Sequence, residues 1–242
     1  MAEGLHPAAT RMPTFKGRTG VMTNQTDKID MKTFLEATFT IESRHAAIVE
    51  CAGNITAACK NDREKRVKLF YFVRDSIRYN SFMISVFEED FRASRILEWG
   101  KGYCVQKAVL LAALSRAAGI PCRLAFAKIR NHHVPEKTLK MIGTNEFPRH
   151  GYNQFYCDGK WISAAATFDK ALCEKNGLPT TEFDGVTDSI LPTKDFEGGP
   201  YIEYIKKYPA TDDLPFQWIF QIISKRFGRD KRPWLTRQQD EG

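Results

Sequence analysis

The sequence predicts an α+β fold in which a helix that carries a cysteine packs on an antiparallel β-sheet. Three observations predict it: helical periodicity dominates the first half, an Ala- and Leu-rich stretch follows Cys104, and strand-like segments come after that stretch. With 242 residues, 43% of them hydrophobic, the chain can bury a substantial core. We expect one domain over residues 26–225, with its core at 62–170 and a wrapping C-terminal region at 171–225.

Helices are predicted before the cysteine. Residues 43–60 have apolar side chains at helical spacing, whereas residues 34–42 fit a strand or a short helix equally well. Asp62 is a good N-cap for a helix that runs through Ile77. Ser94 is expected to cap a further short helix that leads to the cysteine.

Cys104 is the first candidate for a functional residue. It follows Gly100 and Gly102, which allow a sharp turn, and it precedes a helix predicted to extend through Ala118. A thiol in the first turn of a helix faces unpaired N–H groups and the positive end of the helix dipole, which favour the reactive thiolate. Free cysteines are more often buried and inert, so a functional role requires a partner.

Strands are predicted after the cysteine helix. Residues 122–130 alternate apolar and polar side chains, and residues 150–157 and 160–168 flank an Asp-Gly pair that indicates a two-residue hairpin. Turn signals over residues 172–220 predict loops with short helices. Residues 216–227 are predicted to form an amphipathic helix whose apolar stripe favours docking on the core over a membrane anchor.

The hairpin carries the candidate partner of the cysteine, His150. Counting outward from the turn places His150 opposite Thr167, with Asp169 as a diagonal neighbour on the same face. A carboxylate in that position is expected to hold the imidazole in one tautomer and to stabilise its charged form.

These motifs, in this order, resemble the transglutaminase-like superfamily and its papain/transglutaminase-like core. The resemblance covers about residues 62–170 and depends on Gly-x-Cys at 102–104, Gly-Ile-Pro-Cys-Arg at 119–123, and His150 followed by Gly-Lys-Trp at 159–161. It implies a Cys–His–Asp site and acyl transfer through a thioester. Hydrolysis of a peptide, protein or small amide is favoured over transglutamination, since the chain has none of the large accessory domains expected of crosslinking enzymes.

One departure from the family pattern keeps a second hypothesis open. The family places an aspartate four residues after the hairpin tryptophan, and that position here is Ala165. Asp169 is the expected replacement, while the alternative is a non-catalytic module that binds a peptide or protein partner in the inherited cleft. The Cys104 N–H is a natural oxyanion donor. The further oxyanion or cleft candidates are Tyr79, Asn80, Trp99 and Tyr103.

The composition and charge of the chain narrow the classes of partner that we expect. The formal net charge is +7, and basic residues concentrate in a tail at 226–242. Such a run attracts nucleic acid or anionic lipid. No nucleic-acid-binding motif accompanies it, and no apolar run approaches the roughly 20 residues needed to span a bilayer. We therefore predict neither a nucleic-acid partner nor a membrane partner, and the oligomeric state stays open.

The cysteine pattern predicts the cellular setting. Six cysteines are scattered without a Cys-x-x-Cys pair or a Cys/His ligand cluster, so neither a disulfide framework nor a metal site is predicted. The sequence has no Walker-type or dinucleotide-binding glycine signature, and no cofactor is predicted. Residues 1–25 lack an apolar signal core and are expected to be disordered. A reduced, cytoplasmic setting follows as the expectation.

Overall fold

The structure, a computed structural model, describes residues 31–229 and 232. It confirms the α+β fold and the antiparallel sheet. The predicted disordered segment at 1–25 lies outside the described residues, as does most of the basic tail at 226–242.

The regular elements follow the predicted order. The helices are α1 (Ala46–Thr56), α2 (Asp62–Tyr71), α3 (Ala93–Trp99), α4 (Cys104–Ala117), α5 (Glu136–Ile142), α6 (Lys170–Lys175) and α7 (Phe216–Phe227). The strands are β1 (Arg78–Tyr79), β2 (Lys101–Gly102), β3 (Cys122–Asn131), β4 (Glu146–Cys157), β5 (Lys160–Ala164) and β6 (Ile202–Lys207). A π-helical turn at Phe72–Ser76 extends α2, and 3-10 turns lie at Met31–Leu35, Ser81–Met83 and Glu88–Phe91.

The main sheet has four antiparallel strands in the order β5-β4-β3-β6, and β1 pairs with β2 in a separate parallel pair. The hairpin prediction is confirmed, because Cys157 pairs with Lys160 across the two-residue turn. Both turn residues have positive φ, 48° at Asp158 and 85° at Gly159. Asp and Gly are the residues that adopt this conformation most readily.

The cysteine helix α4 is the centre of the core. Every residue from Val105 to Arg116 is buried, and the helix packs against α1, α2, α3, β3 and β4. A helix that is apolar on all sides is stable only when neighbours cover all of it. Its buried polar side chains are hydrogen-bonded: Gln106 donates to the Asp90 carbonyl at 2.9 Å, and Ser115 to the Leu111 carbonyl at 2.6 Å.

Several local expectations were wrong. Ser94 does not cap α3, because the carboxylate of Glu42 accepts both its N–H (2.9 Å) and its hydroxyl (2.6 Å). Asn61, not Asp62, caps α2 by accepting the N–H of Glu64 at 2.9 Å. Helix α5, strand β6 and the first four residues of β4 were not predicted. The hairpin strand predicted to reach residue 168 ends at Ala164.

Gly151 is where β4 meets the start of α4. A Cβ atom at this position would lie 3.0 Å from Val105 Cα and 3.1 Å from Val105 Cγ2. The first of these atoms is backbone, so it cannot move without shifting the helix. Glycine therefore allows β4 and the N-terminus of α4 to approach this closely without a shift of the helix.

Gly151→Ala is expected to destabilise the protein by about 1–3 kcal/mol, because the added methyl group overpacks this contact. The free energy of unfolding in urea measures the effect. Gly53→Ala is the matched control: Gly53 lies within α1 and an added Cβ meets nothing within 4 Å. There alanine should stabilise the helix by up to about 1 kcal/mol. Equal stability changes at both positions would refute the close-contact argument.

Candidate active site

Cys104 is the first residue of α4, as the glycine-rich approach predicts. Gly100 ends α3 with φ of 58°, and Tyr103 takes the N-cap position of α4. The side chain of Gln106 accepts the N–H of Tyr103 at 3.1 Å, which fixes the start of the helix. The thiol is thereby held at the helix N-terminus, partly exposed.

Burial dominates the electrostatics of this thiol. It raises the pKa of Cys104 to about 11, although backbone N–H groups of Gly151, Val105 and Cys104 lower it by hydrogen bonding to the sulfur. The positive charge of Lys107 acts in the same lowering direction. The prediction that the helix terminus yields a thiolate is therefore wrong for the resting protein, since loss of solvation outweighs these contacts.

His150 lies on β4 opposite Ala127 of β3 and is 2% exposed. Its ring stacks on Tyr152, with centroids 6.0 Å apart, and meets the edge of Tyr204 at 6.2 Å. Burial lowers the pKa of His150 to about 3, so the imidazole is neutral at physiological pH. Its Nε2 atom is buried without a hydrogen-bond partner among the described residues.

The thiol and the imidazole line one cavity of about 260 Å³, here called the imidazole cavity. Within the described part of the chain, no hydrogen bond reaches Nε2, so the two groups share the cavity without a direct Nε2–sulfur bond. Its walls also contain Tyr79, Asn80, Thr167 and Phe168. The structure thus brings together Cys104 and His150, which lie far apart in the sequence.

The other oxyanion and cleft candidates lie in different places. Tyr79 and Asn80 line the imidazole cavity, but Asn80 already accepts the N–H of Phe82 at 2.8 Å. Tyr103 lines an adjoining cavity, and its buried hydroxyl has no hydrogen-bond partner among the described residues. Trp99 lines neither of these two cavities. It ends α3 and lies 6.0 Å from the guanidinium of Arg95.

Asp169 makes its hydrogen bonds away from the imidazole. It caps α6 by accepting the N–H of Leu172 at 2.9 Å, and it accepts the N–H of Tyr79 at 2.9 Å. The prediction that Asp169 is a neighbour of His150 assumed that the two hairpin strands remain paired beyond residue 164. The chain leaves the sheet at that point, so this premise was wrong.

A buried ammonium group lies beside Asp169. Lys107, one turn after the cysteine, donates to the carbonyls of Arg74 (3.0 Å) and Ile77 (2.6 Å). Burial lowers the pKa of Lys107 to about 7, and the carboxylates of Asp169 and Asp75 oppose that shift. Lys107 and Asp169 together hold the chain segment that leads into Tyr79, a wall of the cavity.

Sequence reasoning missed three residues around the site, Lys107, Gly151 and Tyr204. Lys107 gave a usable signal, as a lone lysine within an Ala- and Leu-rich helix. Gly151 also gave one, as a glycine that follows the candidate histidine. Tyr204 gave none, because its strand was not recognised.

Comparison with known proteins identifies the core. Residues 49–166, just under half of the chain, match the sequence profile of the transglutaminase-like superfamily. This segment is a transglutaminase-like core. It contains Cys104, His150 and Ala165, and it ends before Asp169. The match supports the role of a cysteine enzyme in general terms.

Solved structures with similarity to the chain include three bacterial proteins. A putative cysteine protease from Cytophaga hutchinsonii is 17% identical, with a TM-score of 0.46, covering 75% of this chain and 54% of its own. A putative protease from Parabacteroides distasonis is 16% identical, with a TM-score of 0.36 and coverages of 57% and 25%. The periplasmic domain of TgpA from Pseudomonas aeruginosa is 17% identical, with a TM-score of 0.42 and coverages of 57% and 48%.

The chain thus spans between a quarter and about half of the length of these relatives. No curated protein matches it. All six cysteines of the chain are free thiols. Across residues 31–229, no cluster of three His, Cys, Asp or Glu side chains is arranged to hold a metal ion, and no helix is long and apolar enough to cross a bilayer.

Acidification is expected to destabilise the transglutaminase-like core through His150. Because its folded pKa of about 3 lies below the ordinary value of 6.5, the unfolded chain takes up this proton first as the pH falls. The neutral imidazole's contribution to stability is therefore complete above pH 6.5 and is lost between pH 6.5 and about 3. The loss is at most about 1.4 kcal/mol per pH unit. Urea unfolding free energies across this range measure it.

His150→Gln should remove this share of the pH dependence, because glutamine does not titrate. His45→Gln is the matched control, since His45 is exposed at the start of α1. The His45→Gln variant should show the wild-type dependence of the unfolding free energy on pH. The same slope in all three proteins would contradict a buried neutral imidazole at position 150.

Asp169→Asn is expected to lower the free energy of unfolding by about 1–3 kcal/mol, because it weakens two partly buried hydrogen bonds and removes a charge beside Lys107. Guanidinium unfolding measures this loss. Asp62→Asn, in the exposed first turn of α2, should change stability by less than about 0.5 kcal/mol. Unchanged stability of Asp169→Asn together with lost turnover would assign Asp169 to the reaction instead.

Proposed function

We propose that this protein is a cysteine-dependent acyl-transfer enzyme that hydrolyses peptide or amide bonds, with Cys104 as the nucleophile and His150 as the general acid and base. The observation that carries the proposal is that the thiol at the N-terminus of α4 and the imidazole on β4 line one cavity. The transglutaminase-like core supplies the family context. A peptide, protein or small amide is the corresponding substrate class.

The resting pair consists of a neutral thiol and a neutral imidazole, as their pKa values of about 11 and about 3 require. In the proposed reaction, the thiol proton moves to the unpartnered Nε2 of His150 as the sulfur attacks the amide carbonyl. The carbon–nitrogen bond then breaks, and the imidazolium returns the proton to the leaving amine. Water, activated by the same imidazole, hydrolyses the thioester and restores the thiol.

The developing oxyanion requires donors that are in place before the reaction. The N–H of Cys104 belongs to the first turn of α4, where N–H groups lack partners within the helix. The hydroxyl of Tyr103 is proposed as the second donor. It is buried without a partner among the described residues, and it belongs to the residue that precedes the nucleophile.

The alternative is a non-catalytic module that binds a peptide in the same cleft. Two observations favour it: the family aspartate is replaced by the fully buried Ala165, and Nε2 makes no hydrogen bond to the thiol within the described residues. Such a module would keep the cavity but would not form a covalent intermediate.

Acylation by p-nitrophenyl acetate separates the two functions. The enzyme is expected to form an acetyl thioester at Cys104, detected by mass spectrometry of the peptide that contains this residue, and then to hydrolyse it. Cys104→Ser should abolish the thioester. His150→Gln should slow acylation roughly 10²–10⁴-fold through loss of the general base. Tyr103→Phe should slow it roughly 10²-fold.

Cys59→Ser is the matched control, because Cys59 is a partly exposed free thiol that lines neither cavity. It should acylate at the wild-type rate. Slow acetylation of Cys104 that is indifferent to His150→Gln would overturn the enzyme proposal and favour the binding module.

A further inference from the structure

Cys104 lies between two cavities. The second, here called the α7 cavity, has a volume of about 490 Å³ and is bounded by helix α7, the end of α5 and the first part of β4. It shares with the imidazole cavity the residues Tyr79, Ser81, Cys104 and Phe147. Together the two cavities form one cleft with a compartment on each side of the thiol.

The α7 cavity has mainly apolar walls. Its lining includes Ile84, Ile142, Phe147, Ile219, Ile222 and Phe227. Its volume lies within the range of sites that hold small molecules or several substrate atoms. Apolar walls of this kind favour a branched or aromatic group over a polar one.

Three cations also line this cavity: Arg149, Lys225 and Arg226. None of them forms an ion pair within the described residues. The guanidinium of Arg149 lies 3.4 Å from the ring centroid of Trp218. That of Arg226 reaches the end of α5, where a Cβ on Gly143 would lie 3.1 Å from it.

The carboxylate on the same wall does not neutralise these cations. Glu146 is already paired with Lys128 at 2.5 Å and with Arg130 at 2.6 Å. The cavity therefore combines an apolar interior with uncompensated positive charge. A ligand with an apolar body and a negative group complements both features.

The position of His150 indicates which cavity holds the leaving group and which holds the acyl group. His150 lines the imidazole cavity and not the α7 cavity, whereas the preceding residue, Arg149, lines the α7 cavity. Successive residues of a strand face opposite sides, so β4 separates the two compartments at the step from Arg149 to His150. A general acid must reach the leaving nitrogen. The leaving group therefore belongs in the imidazole cavity, and the acyl group belongs in the α7 cavity.

We propose that the α7 cavity is the acyl-group subsite, and that it takes a peptide acyl group with a branched or aromatic side chain next to the scissile carbonyl and a carboxylate beyond it. The assignment of this cavity to the acyl group, rather than to the leaving group, rests on the proposed function. The negative group lies against the cations of α7 and β4, and the apolar side chain contacts the isoleucines of α7.

Fluorogenic aminomethylcoumarin amides test this assignment, because the leaving amine stays constant while the acyl group varies. Succinyl-Leu amide should exceed succinyl-Ser amide in kcat/KM by about tenfold or more, since a hydrophobic pocket discriminates to this degree per missing apolar group. Succinyl-Leu should exceed acetyl-Leu about twofold to fivefold through its carboxylate. About 0.5 M salt should reduce this second ratio.

Arg226→Gln should lower the succinyl-to-acetyl ratio, because one of the three cations is removed, while the leucine-to-serine ratio persists. Arg229→Gln is the matched control: Arg229 is exposed just beyond α7 and lines neither cavity. It should leave both ratios unchanged. Loss of the carboxylate preference in both variants would show that general positive charge, rather than this subsite, is responsible.

Binding to Cys104→Ala separates failure of the inference from failure of the proposed function. Calorimetry with succinyl-Leu-amide and acetyl-Leu-amide should show the same carboxylate preference and the same response to Arg226→Gln. Binding preference without any turnover by the wild-type protein would refute the enzyme and with it the acyl-side assignment. Turnover without an acyl preference, or with the preference on the amine side, would overturn the subsite and leave the enzyme standing.

Discussion

The site depends on the contact between β4 and the first turn of α4. Gly151 allows the two backbones to approach so closely that any side chain at this position would meet Val105 Cα at 3.0 Å. Because Gly151 directly follows His150 and Val105 directly follows Cys104, one contact fixes the positions of both candidate side chains. The same contact brings the N–H of Gly151 to the sulfur. A buried helix and a sheet strand, each held by its own packing, thus place the candidate nucleophile and base.

Burial, more than the helix terminus, determines the charge state of this pair. A rise in the Cys104 pKa from 9.0 to about 11 corresponds to about 3 kcal/mol. A helix N-terminus typically contributes only about 0.3–1 kcal/mol to a nearby negative charge. The two effects oppose each other, and desolvation is the larger. The proposed chemistry consequently couples proton transfer to attack, rather than starting from a preformed ion pair.

The sequence predicted those parts of the site that depend on neighbouring residues. The start of α4 at Cys104, the 158–159 hairpin and the amphipathic α7 all follow from local patterns, and the structure confirms them. Contacts between distant elements were not predictable in the same way. Asp169 was misplaced because the strand pairing was extended beyond Ala164, where the chain turns out of the sheet toward α6. Tyr204 was missed because β6 is a short edge strand between turns, with little periodic signal.

Position 165 and the surroundings of His150 fit one packing arrangement. Position 165 carries no carboxylate, and aromatic rings surround the imidazole. Ala165 is fully buried, in a cluster that contains Tyr152, Leu191 and Tyr201. A carboxylate there would lose its hydration and would need a charged or hydrogen-bonding partner to compensate. With alanine at this position and tyrosine rings against the imidazole, neither charge is present. The rings restrict the orientation of His150 by contact, which is one of the two tasks of a triad aspartate. In the proposed reaction, the other task, stabilising the imidazolium, falls to the substrate complex.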